Sequence, residues 1–354
     1  MAGTQGMAST QPGAPAPAQW RKERGEAAAL VPCASSRRRF VQRDEAKAMA
    51  VSAVANVLLS MFKTVVAVQS GSLAVIASLL DSALDLISQL VLVAAAKLKR
   101  DCGGEAAKRD YPAGRSRVEP VSIVVCAMLM GVAAMAVTAA ALAQLCGATE
   151  NAVNASLANV LGLVLAVFLK AGLYCWIRFC LCSGLVEDSP AVAAVQQDHF
   201  NDVLSNGVAV AAVVVSARGG AAWVDPAGAI LISLYIAASW LRTGIRNVEQ
   251  LVGKTADESK LADLRRAAQD FHPGMACDIV RAYHFGPRFL VELEMVMDAS
   301  TPLKTSHDVG MELQREVEAR DDVERCFVHV DYLERDYDEH DADSWKLRSL
   351  NPAV

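Results

Sequence analysis

The stretch SLAVIASLLDSALDLISQLVLVAAAKL, residues 72–98, decides how the rest of the chain is interpreted. Apart from Asp81 and Asp85 it is almost wholly apolar, and about 20 apolar residues let a helix cross the hydrocarbon core of a bilayer. A charged residue near the centre of such a helix costs roughly 2.5–3.5 kcal/mol on insertion. Residues four apart share one helix face, so the two carboxylates point together and need a cation or protons to offset their charge.

A second pair of aspartates with the same spacing, Asp198 and Asp202, lies in the largely apolar stretch 190–216. If the two helices touch, the two pairs supply four oxygen ligands. Buried carboxylates repel one another without a cation, whereas a divalent metal ion lets all of them ionise. Such a site exchanges a metal ion for protons, which is the chemistry of an antiporter. The pattern leaves a structural alternative open, in which the acids pair with Lys63 and Lys170 of the apolar segments.

The composition is too hydrophobic for an ordinary soluble protein and too charged for a pure membrane bundle. Of the 354 residues, 53% are hydrophobic and 21% are charged. Residues 1–50 carry eight Lys/Arg against four Asp/Glu, whereas residues 254–354 carry 13 against 22. No basic stripe interleaved with aromatic residues occurs, so we expect no nucleic-acid partner. A disordered cytoplasmic tail is expected over residues 1–45, and an acidic tail over residues 336–354.

Hydropathy predicts six membrane-spanning helices within residues 46–245. The spans run approximately over residues 48–68, 72–98, 121–145, 156–182, 190–216 and 223–241. The amino-terminal tail and the loop between the second and third spans are rich in Lys and Arg, while the turns after the first and third spans have none. By the positive-inside rule, both termini are then cytoplasmic and the protein is integral to a lipid bilayer.

A soluble α+β domain is predicted over residues 246–335. Residues 288–297 alternate with period two, as expected for a half-buried strand. The predicted order is αββαβ: a helix at 256–271, strands at 278–285 and 288–297, a helix at 302–320 and a strand at 323–333. This order suggests a small open sheet with helices on one face, a ferredoxin-like domain. The predicted fold class is therefore an α-helical membrane protein, with a six-transmembrane-helix bundle and a C-terminal cytoplasmic α+β domain.

The position of His199 relative to the second acidic pair on the helix indicates the type of ligand. Each helical residue turns the chain by about 100°, so His199 is expected to face away from the stripe of Asp198 and Asp202. Hard oxygen ligands suit Mn²⁺, or Fe²⁺, better than Zn²⁺, which favours His and Cys. Asn56 in the first span could add an oxygen ligand, with an interhelical hydrogen bond as the alternative. We interpret Asp225, at the start of the sixth span, as a helix cap.

Several motifs resemble those of the cation diffusion facilitator family, in its manganese branch. GSLAVIASLLDSALD at 71–85 resembles the second-helix signature, YPAGRSRVE at 111–119 the following loop, and DHFND at 198–202 the fifth-helix motif. In that last motif the zinc branch has His in place of the first Asp. The segments EQLVGKTA at 249–256, VRAYHFG at 280–286 and CFVHVDY at 326–332 resemble the C-terminal domain of plant and algal metal tolerance proteins.

The resemblance implies antiport of a metal ion for protons out of the cytosol, and a homodimer held largely by the C-terminal domain. It implies a transport site made of four aspartates: Asp81, Asp85, Asp198 and Asp202. No cofactor is expected, because Mn²⁺, with Fe²⁺ or Zn²⁺ as alternatives, is the transported ion and H⁺ the counter-ion. Some members also bind regulatory metal at a His-rich cluster in the C-terminal domain, and His307, His329 and Asp331 fall at matching positions here. Two other His positions of that cluster are occupied here by Cys277 and Glu292, which departs from the family pattern. A vacuolar, Golgi or other endomembrane is expected rather than the plasma membrane.

Three other functions compete with a manganese transporter. A zinc exporter of the same family is disfavoured by Asp198, without being excluded. An intramembrane aspartyl protease also uses acids on two helices, but it needs a Gly-x-Gly-Asp motif that this sequence lacks. A membrane scaffold would leave the acids purely structural. We therefore expect a transporter and not an enzyme.

Overall fold

The computed structural model describes residues 47–62, 64–65, 73–100, 109–147, 157–186, 189–217 and 223–334. Within the helices, the side chains of residues 73–81, 100, 157–159, 213 and 216–217 are outside this description. The predicted tails, at 1–45 and 336–354, and Lys63 also lie outside the described residues. The chain divides into two compact units, a helical unit that includes residues 35–254 and 284–288, and a sheet unit that includes residues 255–283 and those from 289 onward.

The described part of the helical unit contains six helices, which correspond to the six predicted spans. They are α1 (Lys47–Phe62), α2 (Leu73–Arg100), α3 (Val118–Leu145), α4 (Leu157–Cys182), α5 (Pro190–Ala217) and α6 (Val224–Val252). By length and composition alone, three of them can cross a membrane, namely α3, α4 from Val160 onward and α6, while α1 is a shorter apolar helix. The two acidic pairs lie on α2 and α5.

The six helices pack as neighbours through both apolar and polar contacts. Helix α3 packs along α6, α4 packs along α5, and α2 contacts both α3 and α5. The Thr138 hydroxyl of α3 lies 2.7 Å from the Ser233 hydroxyl of α6, so hydrogen bonds reinforce the packing. Large apolar side chains on the outer faces, among them Phe168 and Leu231, remain exposed. Such an apolar surface suits contact with lipid.

Helix α6 extends well beyond the predicted sixth span, which ends at residue 241. It continues through polar residues to Val252 and ends where Gly253 adopts φ 81°. Hydropathy indicates only which part of a helix fits the bilayer, whereas the helix itself ends where glycine can adopt the left-handed conformation. At its other end, Trp223 occupies the N-cap position and Asp225 lies in the first turn. The interpretation of Asp225 as the cap was therefore wrong, although an acid in the first turn still interacts favourably with the helix dipole.

Beyond α6 the chain forms a three-stranded sheet with two helices. The elements are α7 (Glu258–Gln269), β1 (Met275–Phe285), β2 (Arg288–Met297), α8 (Leu303–Glu318) and β3 (Val323–Asp331). The strand order is β1-β2-β3, and β2 pairs with β3 in parallel, which α8 allows as the crossover between them. A two-residue link requires β1 and β2 to be antiparallel. The predicted αββαβ order is confirmed.

The core of the sheet unit follows the predicted alternation of β2. Val291, Leu293 and Met295 are buried, whereas the intervening glutamates lie on the other face and are only half-buried. The buried residues form one cluster with Leu264 of α7 and Leu313 of α8. Both helices therefore cover the same face of the sheet, because both contribute to the same core.

Candidate metal centre

The structure brings both acidic pairs to one place, around a lysine of α4. The Lys170 ammonium donates a hydrogen bond to Asp85 Oδ2 on α2, at 3.2 Å, and another to Asp202 Oδ2 on α5. Lys170 is only 2% exposed and Asp85 only 7% exposed. Ion pairs of this kind tie three helices together in a largely buried part of the bundle.

Asp198 lies beside this network and makes no hydrogen bond through its carboxylate to the described residues. It is 4% exposed, and neither carboxylate oxygen has a hydrogen-bond partner among the described residues. It is close enough to Asp85, Asp202 and Lys170 to interact electrostatically with all three. An uncompensated buried carboxylate is costly. Of the described acids, Asp198 would therefore be stabilised most by binding a cation or a proton.

The spacing of the ligand atoms on α5 fits a single ion. Carboxylate oxygens of Asp198 and Asp202 and a ring nitrogen of His199 all lie within 4.8 Å of one another. Ligands that share one ion at 2.0–2.6 Å are at most about 4–5 Å apart. In the part of the chain that the structure describes, this is the only group of three or more acids, histidines or cysteines with such spacing.

His199 only partly follows the helical-wheel expectation. Its Nε2 lies 2.7 Å from the Ser52 hydroxyl of α1, and Gln89 of α2 donates to the same hydroxyl at 2.9 Å. The ring is therefore held by neighbouring helices, as a residue outside the acidic stripe would be. A ring nitrogen nevertheless stays within 4.8 Å of the acid oxygens, because the wheel ignores the length and direction of a side chain.

Asn56 lies on the face of α1 that carries Ser52, four residues earlier. It is 2% exposed, and neither its amide oxygen nor its amide nitrogen has a hydrogen-bond partner among the described residues. The alternative of an interhelical hydrogen bond is therefore not observed in that part of the chain, and the oxygen is available as a ligand. Asp81 lies in α2, one turn before Asp85, and its side chain is outside the described residues.

The residues of the predicted regulatory site do not form a group with metal-ligand spacing among the described residues. His307 lies on α8 with its side chain 67% exposed, and Cys277 lies on β1 and His329 and Asp331 on β3. Glu292 accepts a 2.6 Å hydrogen bond from the Tyr283 hydroxyl. That hydrogen bond, together with burial, raises the pKa of Tyr283 to about 12. A regulatory metal site in this domain stays a prediction.

Sequence reasoning missed three features of the centre. It named Lys170 only as one possible partner of an acid and did not place it between two of them. It also passed over Ser52 and Gln89, which hold the His199 ring. The available signal was a polar residue at helical spacing from an acid or amide within an apolar segment, since buried polar groups need partners.

A cluster of buried carboxylates inside a bundle of apolar helices defines a membrane protein that handles a cation. Two family models match the chain: the cation efflux transmembrane domain over residues 49–252 and the cytoplasmic domain of cation efflux proteins over residues 256–333. The chain belongs to the cation efflux family, whose members are transporters and not enzymes. The family predicted from the sequence is thereby confirmed, and so is the fold class as a bundle of apolar helices with a small C-terminal sheet domain. The count of six membrane spans stays a prediction.

Plant metal tolerance proteins are among its relatives. The chain is 35% identical over 293 residues to metal tolerance protein 11 of Arabidopsis thaliana, which covers 82% of this chain and 72% of the relative. It is 35% identical over 300 residues to metal tolerance protein 5 of Oryza sativa subsp. japonica, covering 83% and 69%. It is 34% identical over 314 residues to metal tolerance protein 7 of the same rice, covering 86% and 76%.

Proposed function

We propose that this protein moves Mn²⁺ out of the cytosol in exchange for protons, through a site made of Asp81, Asp85, Asp198 and Asp202. The observation that carries the proposal is the convergence of three described acids in a buried position, where Asp198 has no hydrogen-bond partner among the described residues. Several buried carboxylates cannot all stay ionised without compensation. A divalent ion compensates them in one state of the transporter and protons do so in the other.

The preference for manganese is supported by the oxygen ligands around the site. Three carboxylates form a hard ligand set, which suits Mn²⁺ and also Fe²⁺. We propose the amide oxygen of Asn56, which has no hydrogen-bond partner among the described residues, as a further ligand. A second candidate is Zn²⁺, because a ring nitrogen of His199 lies within 4.8 Å of two acids and zinc favours imidazole. We favour manganese because three carboxylates outnumber the single imidazole, whose Nε2 is engaged with Ser52, although its Nδ1 has no hydrogen-bond partner among the described residues.

We also propose a homodimer that assembles through the sheet unit and has both termini in the cytosol. The support for this arrangement is the match of residues 256–333 to a cytoplasmic domain of cation efflux proteins, together with the basic amino-terminal segment. An endomembrane, such as that of the vacuole or Golgi, would then receive the exported metal.

Proteoliposomes with an acidic interior test the proposed exchange. Full-length protein should take up Mn²⁺ as protons leave, and Asp198→Ala should abolish this uptake. The matched control is Asp225→Asn, a membrane-segment acid in the first turn of α6, which should transport normally. Uptake by Asp198→Ala at the wild-type rate would overturn the proposal.

The choice of ion is tested by Asp198→His, which adds a second imidazole at a position now held by a carboxylate. Zinc uptake should rise relative to manganese uptake, because a nitrogen ligand replaces an oxygen ligand. Undiminished manganese uptake by this variant would contradict the ligand argument. Wild-type protein that rescues a zinc-sensitive yeast strain but not a manganese-sensitive one would favour zinc.

A further inference from the structure

We infer that Lys170 is a resident cation of the transport site, which offsets part of the negative charge of two of the acids when no metal is bound and is displaced from them when metal binds. This inference rests on the proposed function. Lys170 cannot itself be a ligand, because an ammonium group has three donors and no lone pair. It would instead set how tightly the metal is held and how readily it leaves.

The geometry puts the ammonium where the charge of the metal would act. Its Nζ hydrogen-bonds to oxygens of Asp85 and Asp202, which belong to different helices. These are carboxylates that a metal ion would have to coordinate. Two cations a few ångströms apart repel strongly where burial lowers the effective dielectric constant, and the Lys170 side chain is only 2% exposed. The ammonium and the metal therefore compete for the same oxygens.

Asp198 separates this arrangement from an ordinary structural ion pair. A network that serves only to hold helices together satisfies its buried polar groups. Here Lys170 engages two of the acids and leaves both oxygens of Asp198 without a hydrogen-bond partner among the described residues. An incoming ion can therefore meet an open carboxylate first and then displace the ammonium from the other two.

Competition of this kind has a direct consequence for transport. A metal ion held by several buried carboxylates without a competing charge would leave slowly. The ammonium lowers the affinity of the site for the metal ion, and it can pair again with Asp85 and Asp202 as the ion departs. Removing the positive charge should therefore tighten binding and slow turnover.

The test uses full-length protein, with Mn²⁺ alone as the ligand, in equilibrium binding and in proteoliposome uptake. Lys170→Met removes the charge and keeps the length of the side chain, Lys170→Gln keeps an N–H donor, and Lys170→Arg keeps the charge. The matched control is Lys99→Met, which breaks another largely buried ion pair, 2.6 Å from Glu119, outside the acidic cluster.

We expect Lys170→Met and Lys170→Gln to bind Mn²⁺ about tenfold more tightly or better, and to turn over several-fold more slowly at saturating metal. Lys170→Arg should bind no more tightly than wild type, and Lys99→Met should bind as wild type does. A folded neutral variant with unchanged or weaker affinity would overturn the inference, because a purely structural lysine predicts that result.

Two further comparisons keep the result interpretable. If the neutral variants do not fold, Asp202→Asn is compared with Asp202→Asn/Lys170→Met. The double variant removes both partners of the Lys170–Asp202 ion pair, so that one carboxylate, Asp85, and not two, loses the ammonium. The double variant should bind Mn²⁺ more tightly than the single one, and equal affinities would overturn the inference. If wild-type protein does not bind Mn²⁺, or Asp198→Ala binds it normally, the proposed function fails instead.

Discussion

Replacing Asp198 with asparagine should make the metal-free protein more stable and should remove its response to metal. The Asp198 carboxylate is 4% exposed and has no hydrogen-bond partner among the described residues. Asparagine keeps the shape of the side chain and removes its charge. Because function and not folding is proposed to require this charge, its removal relieves a cost of the folded state.

The size of the effect follows from two opposing terms. The effective penalty for burying an ion in a protein is several kcal/mol; the like charges of Asp85 and Asp202 add to it, and the charge of Lys170 recovers a part. A buried amide without partners still costs about 1–3 kcal/mol. The net gain in the free energy of unfolding should therefore be about 1–2 kcal/mol, which is roughly 3–6 °C in Tm for a unit of about 200 residues.

Asp202→Asn is the matched variant, and it should change the free energy of unfolding in the opposite direction. Asp202 accepts a hydrogen bond from the Lys170 ammonium, which would be left with Asp85 as its remaining described ion-pair partner. Breaking a buried ion pair by removing one partner costs about 3–5 kcal/mol. The Asp202 side chain is 18% exposed and Asp85 remains in place, so we expect a loss of about 2–3 kcal/mol.

Thermal unfolding of the purified full-length protein, with and without Mn²⁺, measures both effects. Wild-type protein should gain about 2.7 kcal/mol when metal is present at 100 times its Kd, and both variants should lose most of this gain. In the absence of metal, Tm should rise for Asp198→Asn and fall for Asp202→Asn. An Asp198→Asn protein that is less stable than wild type, yet is still stabilised by Mn²⁺, would refute the reasoning.

Three smaller perturbations test the fold. Gly286→Ala should destabilise by about 1–2 kcal/mol, because φ is +72° and the new Cβ would lie 3.2 Å from the backbone of residues 116–117; an unchanged Tm would contradict this. Leu313→Ala, in the sheet-unit core, should lose about 2–5 kcal/mol in thermal unfolding, whereas Leu303→Ala, at 84% exposed, should lose little. The carboxylate hydrogen bond that raises the pKa of Tyr283 to about 12 stabilises the fold below about pH 10 and is lost as pH rises through 12. Tyr283→Phe should therefore remove a component near pH 12 from the phenolate absorbance titration, and an unchanged titration would contradict the assignment.

The elements of the fold were predictable because their signals are local. The buried alternation of β2 could be read from residues 288–297, since successive side chains of a strand point to opposite faces. The end of α6 was not predictable from hydropathy, because the helix continues in a polar segment as far as Val252. The turn chemistry of Gly253 was the better guide to where that helix ends.

The composition of the candidate site was only half predictable. The four-residue spacing within Asp81/Asp85 and within Asp198/Asp202 predicts which acids share a helix face. This prediction needs only the helical repeat. Side chains from other helices are not constrained by any repeat. For this reason the contact between the Ser52 hydroxyl and His199 could not be predicted, although the spacing of Ser52 from Asn56 marked it as a polar residue that needs a partner.

By itself, the sequence determined that two helices each carry a pair of carboxylates on one face, and that this requires compensation inside an apolar segment. Only the tertiary structure decided how the compensation is distributed. Helix α5 packs against α4 and contacts α2, and this places the Lys170 ammonium between Asp85 and Asp202. The same packing leaves the Asp198 carboxylate without a hydrogen-bond partner among the described residues. The physical reason is that a helix repeat fixes neighbours within one element, whereas the partner of a buried charge depends on which helices pack together.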